Sequence, residues 1–275
     1  MMEHRMIREH IQMTVIKETA IREVRQFKDG VFSREHKEII REIHLEIALN
    51  TQKISVIACS GRYAGELAVG FLRSEGLLNS PDEIEKIEIA DTEHRVHVKT
   101  RNPVPVILSS HKTIASSGAR GMGALQALNR QPIREELSVQ IKPEKVFRMM
   151  DDFLSMASLH DSTGGTHAAA LATVNAEIIA VREDIGRHNT IDMLGGYALL
   201  GGIDLSDKTI VRTGRVSSEI VHKVWCLGVP VVISISVPTT LAIELAEEAG
   251  ITIIGSVRGG KFIVYTHPER ILVNC

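Results

Sequence analysis

Cysteine is scarce: Cys59, Cys226 and Cys275 are scattered through 275 positions. An odd number so widely spaced makes no disulfide framework, and no Cys-x-x-Cys pair is present to hold zinc, so the thiols are expected to be reduced. Long apolar runs are missing as well. None approaches the roughly 20 residues needed to cross a bilayer, and the opening MMEHRMIREH lacks the apolar stretch of a secretory signal, which together imply a cytoplasmic protein without a membrane partner. A surplus of one charge is also absent. With 32 basic and 34 acidic residues the net charge is −2, which removes any bulk electrostatic case for nucleic acid as a partner and leaves only local basic sites. What is abundant is apolar content, 44% of the chain, enough for one large packed domain or two modest ones.

Residues 1–30 are polar with weak periodicity and read as an arm or a peripheral strand and helix. From Glu42 to Ala58 the chain alternates: Ile43, Leu45, Ile47 and Leu49 share a face, Asn50-Thr51-Gln52 turns, and Ile54, Val56 and Ala58 form the facing stripe of a hairpin. Tyr63 to Leu78 has helical spacing, and Ser80-Pro81-Asp82-Glu83 opens a short capped helix. Strands are expected at Ile87–Ala90 and Arg95–Val98, and an apolar stretch follows at Val106–Leu108. His111 to Gly123, HKTIASSGARGMG, is rich in Ser and Gly and reads as a functional loop. A boundary near residue 140 precedes an amphipathic helix over Pro143–Ala157. Beyond it strands and helices alternate: a hairpin over 167–182, helix 189–200, strand 209–212, helix 217–227, strand 231–237, helix 239–249, and strands 251–254 and 262–265. That order implies a sheet layered with helices, with a ligand site on loops beyond strand ends.

Four clusters fall at those strand ends. In Thr163-Gly164-Gly165-Thr166-His167 the paired glycines expose backbone N–H groups that suit an anion, or make a tight turn into a strand. Arg182-Glu183-Asp184-Ile185-Gly186-Arg187-His188-Asn189 crowds charge between strand and helix; its guanidinium groups suit phosphate or carboxylate, unless the charges are simply solvated around a helix cap. Thr213-Gly214-Arg215-Val216-Ser217-Ser218-Glu219 ends a strand and opens a helix, a natural anion seat whose serines could equally serve as caps. Ser256-Val257-Arg258-Gly259-Gly260-Lys261 is a glycine turn carrying two cations, either a phosphate site or an ordinary hairpin. Together they favour a large, multiply anionic ligand such as a nucleotide-bearing cofactor. His167, His188, Glu183 and Asp184 could also gather around a metal, although scattered histidines and carboxylates more often form hydrogen-bond networks, and no metal site is assigned.

The stretches GELAVGFLRSEGLL, TGGTHAAAL, REDIGRHNTIDMLGGYAL, GRVSSEIVHKV and SVRGGKFIVYTHPER resemble successive motifs of the FdhD family of formate dehydrogenase accessory proteins, over roughly residues 40–270. The resemblance implies an α/β fold: a cytidine deaminase-like cofactor-binding domain over 141–275 behind a smaller mixed α+β region over 1–140. It also implies a role, accepting sulfur as a persulfide from a cysteine desulfurase and delivering it to Mo-bis(molybdopterin guanine dinucleotide) for the formate dehydrogenase catalytic subunit, with a homodimer as the working form. Guanine nucleotide would be a partial mimic of that ligand. The candidate cofactor-binding residues are then Gly164, Gly165, His167, Arg187, His188, Gly214, Arg215, Ser217 and the run Ser256, Val257, Arg258, Gly259, Gly260, Lys261. One departure matters. Where the family carries Ser-Ser-Cys-Gly-x-Cys-Gly this chain reads Ser116-Ser117-Gly118-Ala119-Arg120-Gly121, so Gly118 and Gly121 stand at the persulfide positions and cannot store sulfur. A replacement would have to come from Cys59, Cys226 or Cys275. The alternative function, a deaminase-like metal-dependent hydrolase, needs His-x-Glu and Pro-Cys-x-x-Cys; here His167 is followed by Ala168 and Ala169, and the cysteine pair is missing.

Overall fold

The computed structural model describes residues 17–90, 94–102, 132–133 and 139–272. The Ser/Gly-rich segment 111–123 with Gly118 and Gly121, the apolar stretch 106–108, and Cys275 lie outside the described residues.

Two strands, β1 (Thr19–Lys28) and β2 (Val31–Ile40), pair antiparallel as a separate ribbon, so the peripheral segment expected over residues 1–30 supplies a strand from Thr19 on. A four-stranded sheet follows, in the order β4-β3-β6-β5, from β3 (Ile43–Leu49), β4 (Gln52–Cys59), β5 (Ile84–Ala90) and β6 (Arg95–Thr100). Helix α1 (Ala64–Ser74) covers it. In β3 the expected stripe Ile43, Leu45, Ile47 and Leu49 is buried, but β4 corrects the reading: Ile57 and Cys59 face the core and Val56 is exposed. The register slips between Ile47 and Ala48, and one extra residue in a strand inverts which side chains face inward beyond it. The capped turn at Ser80–Glu83 forms as read, with Ser80 and Glu83 in a reciprocal capping box.

The second half is a six-stranded sheet ordered β12-β11-β10-β9-β7-β8. Its strands are β7 (His167–Thr173), β8 (Ile178–Asp184), β9 (Lys208–Arg212), β10 (Val231–Ser234), β11 (Thr252–Arg258) and β12 (Lys261–Val264). Helices α2 (Pro143–Met156) and α3 (Ser158–Thr163) precede it. Between its strands come α4 (Asn189–Gly201), α5 (Ser218–Leu227) and α6 (Thr240–Ala249). The central strands are apolar on both faces, as strands sandwiched by helices must be. Ala169, Leu171, Ile210, Val232 and Ile253 pack with α4, α5 and α6, while Ala168, Ala170, Val211, Val231 and Ile233 pack with Val146, Met149 and Phe153 of α2. The expected α/β class is the one observed, with a helix-layered six-stranded sheet and a smaller four-stranded sheet.

The two halves share a seam where α1 crosses α4. A Cβ on Gly70 would stand 1.6 Å from the Asp192 carbonyl oxygen, and one on Gly196 2.0 Å from that of Glu66, so only glycine lets these backbones touch. Buried ion pairs reinforce the crossing. Arg182 on β8 donates twice to Glu66, at 2.5 and 2.9 Å, with its guanidinium over the rings of Tyr63 and Tyr197. Asp192 accepts from Ser74 at 2.6 Å and from Lys223 at 2.7 and 2.8 Å.

Candidate functional site

Strand direction decides where the four clusters go. β9, β10 and β11 run parallel, and β8 shares their direction because both β8 and β9 are antiparallel to β7. The C-terminal ends of four strands and the N-terminal end of β7 therefore meet along one edge of the sheet. At about 4.8 Å between neighbouring strands, the five ends span roughly 19 Å. All four sequence clusters lie there, at the edge where layered α/β folds hold ligands.

The ends are tied together from strand to strand. His167 lies opposite Asp184, and Ala169 opposite Arg212. The Gly214 carbonyl accepts from Ser234 Oγ at 2.9 Å, Ser234 Oγ accepts from Ser236 N at 3.1 Å, and Ser236 O accepts from Ser256 N at 2.9 Å. Ser256 holds a left-handed conformation (φ 56°), and Gly255 leaves room for Ser236 O, which a Cβ would approach to 2.7 Å. The β11–β12 turn through Gly259 and Gly260, both left-handed, then carries Arg258 and Lys261 into solvent. Val257 is turned into the core instead, so only its backbone faces the edge. Gly164 and Gly165 are exposed before β7, with Gly165 against Ile40 of the ribbon.

The second cluster divides. Arg182, Glu183 and Asp184 belong to β8 and are buried with partners, which removes both the solvated-charge reading and the metal reading. Glu183 accepts from the backbone N–H groups of Leu159 and His160 at 3.1 and 2.8 Å. Asp184 accepts from Ser60 N and Oγ, Gly186 N and Asn189 Nδ2, all between 2.6 and 2.9 Å, and so fixes the turn that presents Arg187 and His188. Burial pushes its pKa up, against those hydrogen bonds. Among the described residues no group of three His, Cys, Asp or Glu side chains could hold a metal ion.

Beside that turn the third cluster opens α5. Ser217 is its N-cap residue, yet its hydroxyl accepts no amide and is buried without a hydrogen-bond partner, so the capping role expected of it is not fulfilled. Arg212, which sequence reasoning passed over, ends β9 fully buried; it donates to the Arg215 carbonyl at 2.9 Å, and its Nε has no partner. An arginine closing an otherwise apolar run, Thr209-Ile210-Val211-Arg212, was the available signal. His188 Nε2 lies 2.8 Å from Glu219 Oε2 but off the hydrogen-bonding direction. Burial first, then Lys223, Arg187, Arg212 and His167, pull its pKa down to about 3. Loss of solvent, then Arg212, Arg187 and His160, likewise lower that of His167. Both imidazoles are neutral bases in a positive field, an environment that suits an incoming anion.

A profile of the FdhD/NarQ family matches residues 40–272. The chain belongs to the FdhD/NarQ family. Sulfur carrier protein FdhD of Bacillus subtilis is 37% identical over 258 residues, 93% of this chain and 98% of that one. The FdhD of Listeria monocytogenes (strain F2365) is 35% identical over 90% of this chain and 97% of its own. A crystal structure from Desulfotalea psychrophila, described as a formate dehydrogenase accessory protein, superposes with a TM-score of 0.74 at 22% identity, covering 92% of this chain and 99% of that one, and shows the shared fold. Against this FdhD background neither described cysteine is an exposed thiol. Cys59 is buried, and loss of solvent, then Asp184, pushes its thiol to about 12. Cys226 is buried on α5, with its sulfur 3.6 Å from His222 Nε2. No helix among the described residues is long and apolar enough to cross a membrane.

Proposed function

We propose that this protein binds Mo-bis(molybdopterin guanine dinucleotide) along the strand-end edge and presents it to the formate dehydrogenase catalytic subunit, without storing sulfur on a cysteine pair of its own. The observation that carries the reading is the convergence of Arg187, Arg215, Arg258, Lys261 and Ser217 on one edge some 19 Å long by strand spacing, a length suited to an extended ligand with several phosphates. Family membership supports a role in sulfur handling, since relatives are named sulfur carriers. Exposed Val237 and Leu241, after β10 and at the start of α6, offer apolar surface for the ligand's flat rings. Glycine at 118 and 121 removes the thiolate that a desulfurase would load, so sulfuration on this reading draws on a cysteine outside this chain. Homodimerisation belongs to the same proposal and is supported by exposed Phe27, Val31 and Phe32 on the ribbon.

Titration calorimetry with GDP tests the binding half. Loss of one charge-assisted contact in Arg215→Ala or Arg258→Ala is expected to weaken GDP by about 10-fold with unchanged thermal stability, because both side chains are exposed. Wild-type affinity in both variants would remove the anion-site argument.

A further inference from the structure

Arg212 Nε and Ser217 Oγ are buried near one another along the chain with nothing to bond, an arrangement that costs free energy unless a ligand completes it. Arg212 is wholly buried, and among the described residues no carboxylate pairs with it. One guanidinium nitrogen pins the Arg215 carbonyl at 2.9 Å. Another lies 3.9 Å from where a Cβ on Gly214 would stand, and His167 Nδ1 lies 3.2 Å from that same point. Gly214 therefore keeps open the gap between arginine and histidine. Ser217 stands at the mouth of α5, a ten-residue helix whose first N–H groups its side chain leaves uncapped.

We propose that Ser217 and the first amides of α5, opened by Gly214 and underlain by the charge of Arg212, form an oxyanion pocket for one phosphate group of the ligand. The proposal rests on the nucleotide reading above and deepens it, because it assigns a phosphate to the end of β9, two strands away from the Arg258 and Lys261 hairpin. Arg212 fixes the 213–217 loop through the Arg215 carbonyl, and its unpartnered Nε–H is the donor that the phosphate completes. Its charge has a consequence for protons. Facing His167 are Arg212, Arg187, His160, the Thr213 hydroxyl at 3.4 Å and Asp184 across the β7–β8 pair. Facing His188 are Lys223, Arg187, Arg212, His167 and Glu219. Burial first, and then the cations, keep both imidazoles neutral. A phosphate dianion entering among them offsets the cations, so His167, the less buried of the two, takes a proton from the buffer as the pocket fills.

The test uses the full chain and inorganic pyrophosphate, titrated near neutral pH in two buffers of unlike ionisation enthalpy, for wild type, Arg212→Met and Ser217→Ala. The wild type is expected to bind with buffer-dependent heat that reports proton uptake. Arg212→Met is expected to bind at least about 10-fold more weakly and to lose that uptake. It should melt no lower than wild type, because an apolar chain replaces a buried unpaired charge. In the same variant the His167 imidazole, followed by NMR titration, should protonate closer to its ordinary value. A purely structural role for Arg212 would lower the melting point and leave the heats independent of buffer. Ser217→Ala, which removes no packing, should weaken pyrophosphate about 3-fold or more, and it carries the test if Arg212→Met does not fold. Undiminished affinity in the variants, or no pyrophosphate binding by the wild type, would overturn the pocket. GDP binding that depends on Arg258, beside pyrophosphate binding indifferent to Arg212, would keep the nucleotide reading and remove the pocket. Arg212-dependent pyrophosphate binding without any GDP binding would do the reverse.

Discussion

His188 shows how a single side chain links the site to stability. It titrates at about 3 in the folded protein and near 6.5 when unfolded. Between those values the unfolded chain holds a proton that the native chain does not, so stability falls as pH drops below about 6.5, by up to about 1.4 kcal/mol per pH unit for each such group. His167 acts with the same sign; Asp184, whose pKa burial raises from 3.8, acts with the opposite sign. Urea unfolding at pH 7 and pH 5 should show the wild type losing roughly 1.5 kcal/mol or more on acidification and His188→Asn losing clearly less. Equal losses would mean that the imidazole is not held neutral. Cys59 makes a second residue-scale case. With its thiol pushed up to about 12 and no exposed surface, it should resist maleimide at pH 8 in the native protein and react once urea unfolds the chain. Ready labelling of native Cys59 would reopen it as a sulfur acceptor.

The α1–α4 crossing is the element on which the site depends, because α4 begins at the turn that presents Arg187 and His188. Gly70→Ala or Gly196→Ala forces a methyl into backbone, and each is expected to destabilise by about 3 kcal/mol. Glu66→Ala leaves Arg182 buried without its carboxylate and should cost about 3–5 kcal/mol, read from the urea midpoint; a change under about 1 kcal/mol in both experiments would show the seam to be pliable. Most elements were legible in the sequence because their periodicity and caps agree: α2 begins at Pro143, α6 is capped by Thr239, and the strands around Val231 and Thr252 are β-branched runs. Two features were not. The inward face of β4 depends on a register slip that alternation alone does not reveal. The charges of 182–184 look like loop, since nothing local announces that Glu66, Ser60 and the amides of α3 come from elsewhere to satisfy them.

At the scale of the molecule, the sequence yielded the ingredients of the site but not their meeting. Gly214, Ser217, Arg258 and Lys261 could be named from glycine and strand-end patterns, whereas their alignment on one edge follows from β7 running against its neighbours, which no single segment encodes. Family membership and glycine at 118 and 121 then frame the proposal: a scaffold proposed to hold the cofactor without a thiol pair of its own. Restoring Cys at 118 and 121 should allow persulfide to accumulate on incubation with a cysteine desulfurase and cysteine, as cyanolysis would report, while the unmodified chain should yield almost no thiocyanate. The most direct measurement is mass spectrometry of what the denatured protein releases after purification from a host that makes molybdenum cofactor. Release of a pterin guanine dinucleotide is the predicted result; release of nothing, or of an ordinary nucleotide alone, would contradict the account.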